Sequence, residues 1–201
     1  MTWTENGAPG FDRFALDGAH QIWMGRLPEE LCLGESAFEE LWKLHPPDFH
    51  DVRMGGRLVK TPRWQQAFNR DYAYSGSTNE ALEVPDLLMP FWKWAQTAID
   101  ERLNGLLLNW YDGKLGHYIG KHRDTPNQLT KGSPIVTISL GAGRVFRLRP
   151  WKGKGFHDFD LRNGWVVILP FATNENWTHE VTKNGRSEGR RVSITLRVFD
   201  R

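Results

Sequence analysis

The sequence predicts an α+β fold with a mainly β core of the β-sandwich or jelly-roll type. Beyond Gly105 the chain falls into short apolar, β-branched runs separated by Gly, Pro and Asn, which is typical of strands joined by turns. The last of these runs alternates apolar with polar side chains, so it is a strand that faces two environments. Strands are predicted at 106–111, 135–140, 145–148, 166–169 and 192–199.

Two helices are predicted before these strands. Residues 35–44 carry Phe38, Leu41 and Trp42 at amphipathic spacing. A second helix is predicted from Asp86 to Asn104, with Gly105 as its C-terminal stop. We therefore expect a helical and mixed N-terminal half, in which residues 1–50 act in packing or as a linker, on a β-rich half.

Composition narrows the class of protein. The chain has 201 residues, which suits one domain that buries its own core without a partner, so we expect a monomer. Cys32 is the only cysteine, which excludes an internal disulfide and a thiolate metal site and suits a reducing compartment. We expect no signal peptide and no membrane partner, since no segment approaches the ~20 apolar residues of a span. The expected location is the cytoplasm in a bacterium, or also the nucleus in a eukaryote.

His122, Asp124 and His179 form a candidate metal site. On a strand or at its end, His122 and Asp124 project to the same face because side chains alternate with a period of two. A lone His-x-Asp is a weak pattern, but the later histidine in Trp177-Thr178-His179 strengthens it. Two imidazoles and one carboxylate hold Fe(II) on one face and leave positions open for a co-substrate and O2; Zn and Mn are alternative metals.

Arg191 and Arg197 are the candidate co-substrate residues. They lie six positions apart, hence on one face of the last strand, and guanidinium groups bind carboxylates bidentately. The pair suits a dicarboxylate such as 2-oxoglutarate, whose keto acid end would chelate the iron.

The net charge of +2 permits nucleic-acid binding without requiring it. Basic residues concentrate in two runs that flank the candidate site. Each run could be an ordinary solvent-exposed charged surface. Because both runs flank the candidate metal site, we expect an anionic substrate. The runs comprise Arg144, Arg147, Arg149, Lys152 and Lys154, and then Lys183, Arg186, Arg190 and Arg191.

The chain resembles the AlkB family of Fe(II)/2-oxoglutarate dioxygenases, which undo alkylation damage on nucleic-acid bases. The resemblance covers roughly residues 60–199. It is carried by Asn109-Trp110-Tyr111, the segment 119–124, the segment 132–135, Ser139-Leu140-Gly141, Trp177-Thr178-His179 and the segment 191–197. It implies a double-stranded β-helix (jelly roll) with N-terminal helices and a nucleotide-recognition lid. Residues 1–85 would form the extension and lid of a single domain, and 86–201 the support helix and catalytic core.

The resemblance also implies residue roles at the metal and the co-substrate. His122, Asp124 and His179 would be the catalytic iron ligands. Asn109, Tyr111, Arg191 and Arg197 would hold 2-oxoglutarate, with Arg191 on its distal carboxylate.

A base-recognition lid is implied by Thr61-Pro62-Arg63 and by the segment 72–76. We expect Tyr74 to stack on the base opposite the His122 ring, with Tyr72 and Arg63 nearby, since aromatic stacking contributes ~1–3 kcal/mol per base. Met54 would be an apolar wedge that helps to unstack a duplex. Alternatively, Tyr72 and Tyr74 are ordinary strand residues and Met54 is an ordinary loop residue, without a role in base recognition.

The implied activity is oxidative demethylation of N-alkylated bases, of the 1-methyladenine and 3-methylcytosine type, in alkylated DNA, with RNA as a narrower alternative. O2 and 2-oxoglutarate would be consumed, and succinate, CO2 and formaldehyde released. Pro126 departs from the acidic residue that close relatives carry there, which leaves base specificity open. Three alternatives stand beside this interpretation: an oxygenase acting on a protein, lipid or metabolite, a nucleic-acid-binding module with a vestigial site, and an unrelated sandwich protein.

Overall fold

A computed structural model describes residues 1–4, 6–74, 76–183 and 188–200, apart from the side chains of Met54 and Pro126. Within these residues the helices are α1 (Glu35–Lys43), α2 (Met89–Ala98) and α3 (Phe171–Asn176). The first strands are β1 (Phe11–Ala15), β2 (Gln21–Arg26), β3 (Asp51–Met54), β4 (Arg57–Lys60), β5 (Trp64–Phe68), β6 (Tyr72–Tyr74), β7 (Ser77–Asn79) and β8 (Ala81–Leu82). The later strands are β9 (Gly105–Asp112), β10 (Ile119–His122), β11 (Ile135–Gly141), β12 (Arg144–Pro150), β13 (His157–Leu161), β14 (Trp165–Leu169), β15 (Trp177–Val181) and β16 (Arg190–Arg197).

Two sheets form the predicted jelly roll. The major sheet has the strand order β1-β2-β14-β11-β16-β9-β5-β8, and the minor sheet has the order β10-β15-β12-β13. The pairs β3–β4 and β6–β7 are separate hairpins. Each of the five strands predicted after residue 105 is present, and no observed bound differs from its expected bound by more than two residues.

The major sheet is buried on both faces. One face packs against α1 and α2 in a core that includes Leu41, Phe91, Leu108, Ile138 and Ile194. The other face meets the minor sheet in a second core that includes Ile22, Leu107, Phe146, Leu148 and Val167. Sheet-on-sheet packing places this second core between the two sheets, next to the site described below.

Strand β16 lies at the centre of this arrangement and explains its alternating sequence. Its apolar side chains face the helices, whereas its polar side chains face the space between the sheets and are also buried. The second environment of this strand is therefore a polar interior. The apolar set is Val192, Ile194 and Leu196, and the polar set is Arg191, Ser193, Thr195 and Arg197.

The second predicted helix ends earlier than expected. A 3-10 turn at Asp86–Leu88 precedes α2, which stops at Ala98 and does not reach Asn104. The chain turns there because the buried Asp100 carboxylate accepts hydrogen bonds from the backbone N–H and guanidinium of Arg102. Residues 99–104 thus form a turn that leads into β9. None of the described helices has the length and apolarity needed to cross a membrane.

The N-terminal half contributes more strand than its sequence suggested. Among its described residues, α1 is the one α-helix before residue 85, while β1, β2, β5 and β8 extend the major sheet. Strand β2 pairs with β14 and sends Ile22 and Met24 into the core between the sheets. Packing, and not a linker, is therefore the role of residues 11–26. The division at residue 85 stays a prediction.

Gly105 begins β9 against the ring of Phe199. A Cβ atom at this position would lie closer to that ring than real Cβ atoms approach any neighbour. We expect Gly105→Ala to lower the free energy of unfolding by about 1–3 kcal/mol, because the ring or the strand must move. Urea denaturation measures the effect. Gly18→Ala is the control, since nothing lies within 4 Å of a Cβ atom there, and equal losses in both variants would contradict the packing explanation.

Candidate active site

A cavity of about 340 Å³ lies between the two sheets, and its lining includes β10 and the residues that follow it. Its walls contain every residue predicted to bind the metal, the co-substrate or the base apart from Met54, whose side chain is outside the described part of the structure. The cavity therefore joins the three predicted sets in one place. These residues are Arg63, Tyr72, Tyr74, Asn109, Tyr111, His122, Asp124, His179, Arg191 and Arg197.

The three predicted ligands converge at one point. His122 ends β10 and lies opposite His179 on the neighbouring strand β15, while Asp124 follows just beyond β10. The Nε2 atoms of His122 and His179 lie 3.9 and 4.0 Å from Asp124 Oδ1. The ligand atoms of all three side chains lie within 4.8 Å of one another. The two distances from the histidine nitrogens to the Asp124 oxygen are too long for hydrogen bonds. They leave room for an ion that contacts all three side chains.

The histidines are held in the form that binds a metal. Nδ1 of His122 lies 2.9 Å from the Gly120 carbonyl oxygen, which makes Nδ1 the N–H donor and leaves the lone pair on Nε2. Burial, with His122 as a second cause, lowers the pKa of His179 to about 3. Burial also lowers the pKa of His122. Both rings are therefore neutral at pH 7 before any metal binds. His179 Nδ1 has no hydrogen-bond partner among the described residues.

Asp124 is fixed in its ionised form. Its Oδ2 accepts a hydrogen bond of 2.7 Å from Arg197 Nε, and its Oδ1 accepts one of 2.9 Å from the Tyr72 hydroxyl. Burial would raise the pKa of this carboxyl, but Arg197 and the two histidines outweigh burial and hold its pKa well below the usual range. Asn174 on α3 bonds both the N–H and the carbonyl of Asp124, each at 3.0 Å, and so fixes the backbone. This donor set fits Fe(II).

Metal affinity should depend only weakly on pH in the weakly acidic range. Two ordinary histidines would lose roughly tenfold in affinity between about pH 7.5 and 6, because protons compete for the nitrogens. Since burial lowers the pKa of His179 to about 3 and also lowers that of His122, we expect less than about a threefold loss here. Titration with Co(II), followed by visible absorption, measures this. A tenfold loss would show that the rings are protonated like exposed histidines.

The co-substrate end of the cavity is lined by buried cations. Arg191 is 1% exposed, and its Nε donates a 2.8 Å hydrogen bond to Ser139 Oγ. Its Nη1 atom and that of Arg197 have no partner in the described structure. Burial, with Arg144 nearby as a further cause, lowers the pKa of Arg191 to about 10. Arg197 already pairs with Asp124, whereas Arg191 has no anionic partner among the described residues, and a buried guanidinium without an anion is costly. The unpartnered Nη1 groups of both arginines fit the carboxylates of 2-oxoglutarate.

Two residues predicted for base recognition have a further role. Tyr72 lines the cavity, but its hydroxyl is committed to Asp124, so it positions a metal ligand. Arg63 is buried, and its Nε donates a 2.7 Å hydrogen bond to Asn109 Oδ1, so it orients a predicted co-substrate residue. Tyr72 and Asp124 are far apart in sequence, so no local sequence pattern predicts the hydrogen bond between them.

Tyr74 remains the described side chain that best fits the predicted base contact. It lies on β6, is half-buried and lines the cavity, 5.3 Å from the Tyr72 ring between centroids. Its hydroxyl has no partner in the described structure. Gln128 anchors the same hairpin by donating a 2.7 Å hydrogen bond to the carbonyl of Ala73. The hairpin β6–β7 therefore forms a wall of the cavity above the metal ligands.

Comparisons with known proteins agree with this geometry. A model of the 2OG-Fe(II) oxygenase superfamily matches residues 35–197. The DNA oxidative demethylase ALKBH2 of Homo sapiens is 28% identical over 157 residues, which are 73% of this chain and 60% of that protein. The ALKBH2 of Bos taurus is 27% identical, over 73% of this chain and 56% of that protein. The alpha-ketoglutarate-dependent dioxygenase alkB homolog 3 of Rattus norvegicus is 30% identical, over 63% of this chain and 46% of that protein.

A solved structure shows the same fold. The structure of OsALKBH1 superposes with a TM-score of 0.58 at 16% identity, over 92% of this chain and 99% of that chain. Its identity is low, so it speaks for the fold alone. The chain spans about 56–60% of the human and bovine relatives that it matches.

Proposed function

Because the chain belongs to the 2OG-Fe(II) oxygenase superfamily and, within it, to the AlkB family, we propose that it oxidatively demethylates N-alkylated bases in DNA. The substrates would be lesions of the 1-methyladenine and 3-methylcytosine type, with RNA as a narrower alternative. The observation that carries the proposal is the shared cavity, in which a complete ligand triad, two buried arginines and a half-buried tyrosine meet. A nucleic-acid-binding module that had lost its catalytic activity would not need the metal ligands or the two buried arginines.

The residues of the chain have distinct tasks in this reaction. His122, Asp124 and His179 would hold Fe(II), which supplies the activation of O2 when bound. Arg191 and Arg197 would bind the carboxylates of 2-oxoglutarate and orient its keto acid toward that ion. One oxygen atom enters succinate as CO2 leaves, and the other hydroxylates the methyl carbon, whose C–N bond then breaks to give formaldehyde and the repaired base.

The test is demethylation of defined oligonucleotides. Purified protein with Fe(II), 2-oxoglutarate and ascorbate would receive single- and double-stranded oligonucleotides with 1-methyladenine or 3-methylcytosine, and mass spectrometry would follow methyl loss. Loss of the methyl group by the native chain, and none with His179→Ala, is the expected result. Succinate without methyl loss would overturn the proposed substrate and leave the oxygenase.

Tyr74 should control how well the methylated base is held. We expect Tyr74→Ala to raise the KM for a methylated oligonucleotide roughly 5- to 100-fold, because stacking contributes ~1–3 kcal/mol per base. Tyr74→Phe keeps the ring and is the matched control. Succinate formed without nucleic acid should be unchanged in both variants. An equal KM in the alanine variant would remove Tyr74 from base recognition.

An oxygenase of another substrate is the second candidate. It is favoured by Pro126, which begins the turn Pro126–Gln128 at the position where the resemblance to the AlkB family implies an acidic residue. The same assay decides between the two, with RNA oligonucleotides added. Succinate formation that none of the methylated nucleic acids stimulates would favour a protein, lipid or metabolite.

A further inference from the structure

An exposed aromatic and basic surface lies beside the mouth of the cavity. We call it the outer patch and define it as Arg123, Trp151, Lys152, Lys154 and Phe156. Trp151 and Phe156 are each 51% exposed, at the two ends of the turn between β12 and β13. Both lysines between them are exposed as well. Two large exposed aromatic rings next to lysines on one turn are more typical of a binding surface than of a surface that contacts only solvent.

The outer patch is continuous with the cavity through Arg123. This residue stands between the ligands His122 and Asp124 and lines the cavity. Its guanidinium carbon lies 4.0 Å from the centroid of the Trp151 ring. The cation therefore supports one side of the indole and fixes its plane, while half of the side chain stays open to solvent.

The free positive charge of the basic run lies on this turn. Arg147 and Arg149 are paired with Asp158 and Glu180, at 2.5 and 2.8 Å. Arg144 points inward and is 2% exposed. Lys152 and Lys154, by contrast, form no ion pair with any described residue. Of the five cations that the sequence groups here, the two lysines beside the aromatic rings are the ones available to a partner.

We propose that the outer patch binds the nucleic-acid strand that carries the methylated base. Another unpaired base of the same strand would stack on Trp151, and phosphates would contact Lys152 and Lys154. Planar rings with adjacent cations match bases joined by phosphates. An acidic peptide would use the lysines but would leave the rings without a planar partner. The inference rests on the proposed function, because it takes nucleic acid as the substrate.

The distance from the metal ligands suits this arrangement. His179 lies opposite Leu148, and Trp151 is three residues further along the chain, so the two are separated by roughly 10 Å along the strands and roughly 5 Å across them. At about 3.4 Å per stacked nucleotide, a base about three positions from the methylated one reaches Trp151. A trinucleotide centred on the lesion would be too short to do so.

Binding of a labelled oligonucleotide tests the stacking. Fluorescence anisotropy of an unmethylated single-stranded 15-mer is measured with the full chain, without metal or 2-oxoglutarate. We expect Trp151→Ala to weaken binding roughly tenfold and Trp151→Phe to weaken it far less. A 15-mer of abasic nucleotides has the same charge without bases, so Trp151→Ala should not change its affinity. The affinity for a trinucleotide centred on a methylated base should likewise be the same in the native chain and in Trp151→Ala.

Salt dependence tests the lysines. Each cation that neutralises a phosphate of a single strand contributes about 0.7 to the slope of log Kd against log salt. Lys152→Gln with Lys154→Gln should therefore lower the magnitude of the slope by about 1.4. Lys43→Gln with Lys93→Gln removes the same charge from α1 and α2, on the far side of the major sheet, and should leave the slope unchanged.

The outcomes separate this inference from the proposed function. Tight binding by the native chain that is indifferent to Trp151 and to the lysine pair would overturn the inference while leaving nucleic acid as the substrate. Absence of nucleic-acid binding by the native chain, at low salt, would overturn both. A polyglutamate peptide that binds as tightly as the 15-mer, with the same loss in Trp151→Ala, would assign the patch to acidic protein and overturn stacking.

Discussion

Replacement of Asp124 by alanine should abolish metal binding and demethylation and also destabilise the protein. Its carboxylate is fully buried and is the partner of Arg197, which is 3% exposed. Without it the guanidinium is a buried cation with no counter-charge, and breaking such a pair costs about 3–5 kcal/mol. His179→Ala removes a ligand but leaves that pair intact. It should lose metal and activity with less loss of stability.

Two measurements separate these effects. Co(II) absorption reports metal binding, and urea denaturation of the metal-free protein reports the free energy of unfolding. Asp124→Ala with Arg197→Met removes both charges and should recover part of the stability that Asp124→Ala loses, without restoring activity. Asp124→Ala that unfolds at the same urea concentration as His179→Ala would show that the Arg197 pair does not stabilise the fold.

Arg191→Met should have the opposite pattern, with a large loss of co-substrate binding and little loss of stability. Its guanidinium is buried beside Ser139 and Tyr111 with one N–H group unpartnered in the described structure. Truncating one member of a buried charge pair costs about 2–5 kcal/mol, so the KM for 2-oxoglutarate should rise at least roughly 30-fold. The free protein loses a desolvated cation, and its unfolding free energy should be unchanged or higher.

The neighbouring arginine is a matched control for this prediction. Arg190 is exposed and pairs with Glu39 at 3.0 Å, on the other side of the strand. Arg190→Met should leave the KM for 2-oxoglutarate unchanged. Calorimetric titration of 2-oxoglutarate into the Co(II)-loaded protein measures binding directly. A strongly destabilised Arg191→Met protein with normal affinity would make Arg191 a structural residue.

Local patterns predicted the parts of the site that lie close together in sequence or on one strand. The spacing of His122 and Asp124, and the alternation that carries Arg191 and Arg197, need only the geometry of a strand. The histidine at 179 was found from its own motif. The pairing of β10 with β15 places it directly opposite His122.

Interactions between distant parts of the chain were beyond such patterns. The hydrogen bond from Tyr72 to Asp124 depends on how the hairpin β6–β7 packs against the rest of the fold. The two hydrogen bonds between Asn174 and the Asp124 backbone depend on the position of α3. The early end of α2 likewise comes from the buried carboxylate of Asp100, since the apolar pattern of 86–104 continues through the turn. The inward direction of Arg144 was hidden in a run of similar cations.

From Arg191 to Arg197, strand β16 is buried on both sides, so an error in its pairing would affect both faces of the strand. A shift of its pairing by one residue would move both arginines into the hydrocarbon layer under the helices and turn Val192, Ile194 and Leu196 toward the cavity. Such a slip costs buried charge and removes the co-substrate site in the same step. We therefore expect no register of this strand that is both stable and inactive, so that a correctly folded chain also has its co-substrate residues in place.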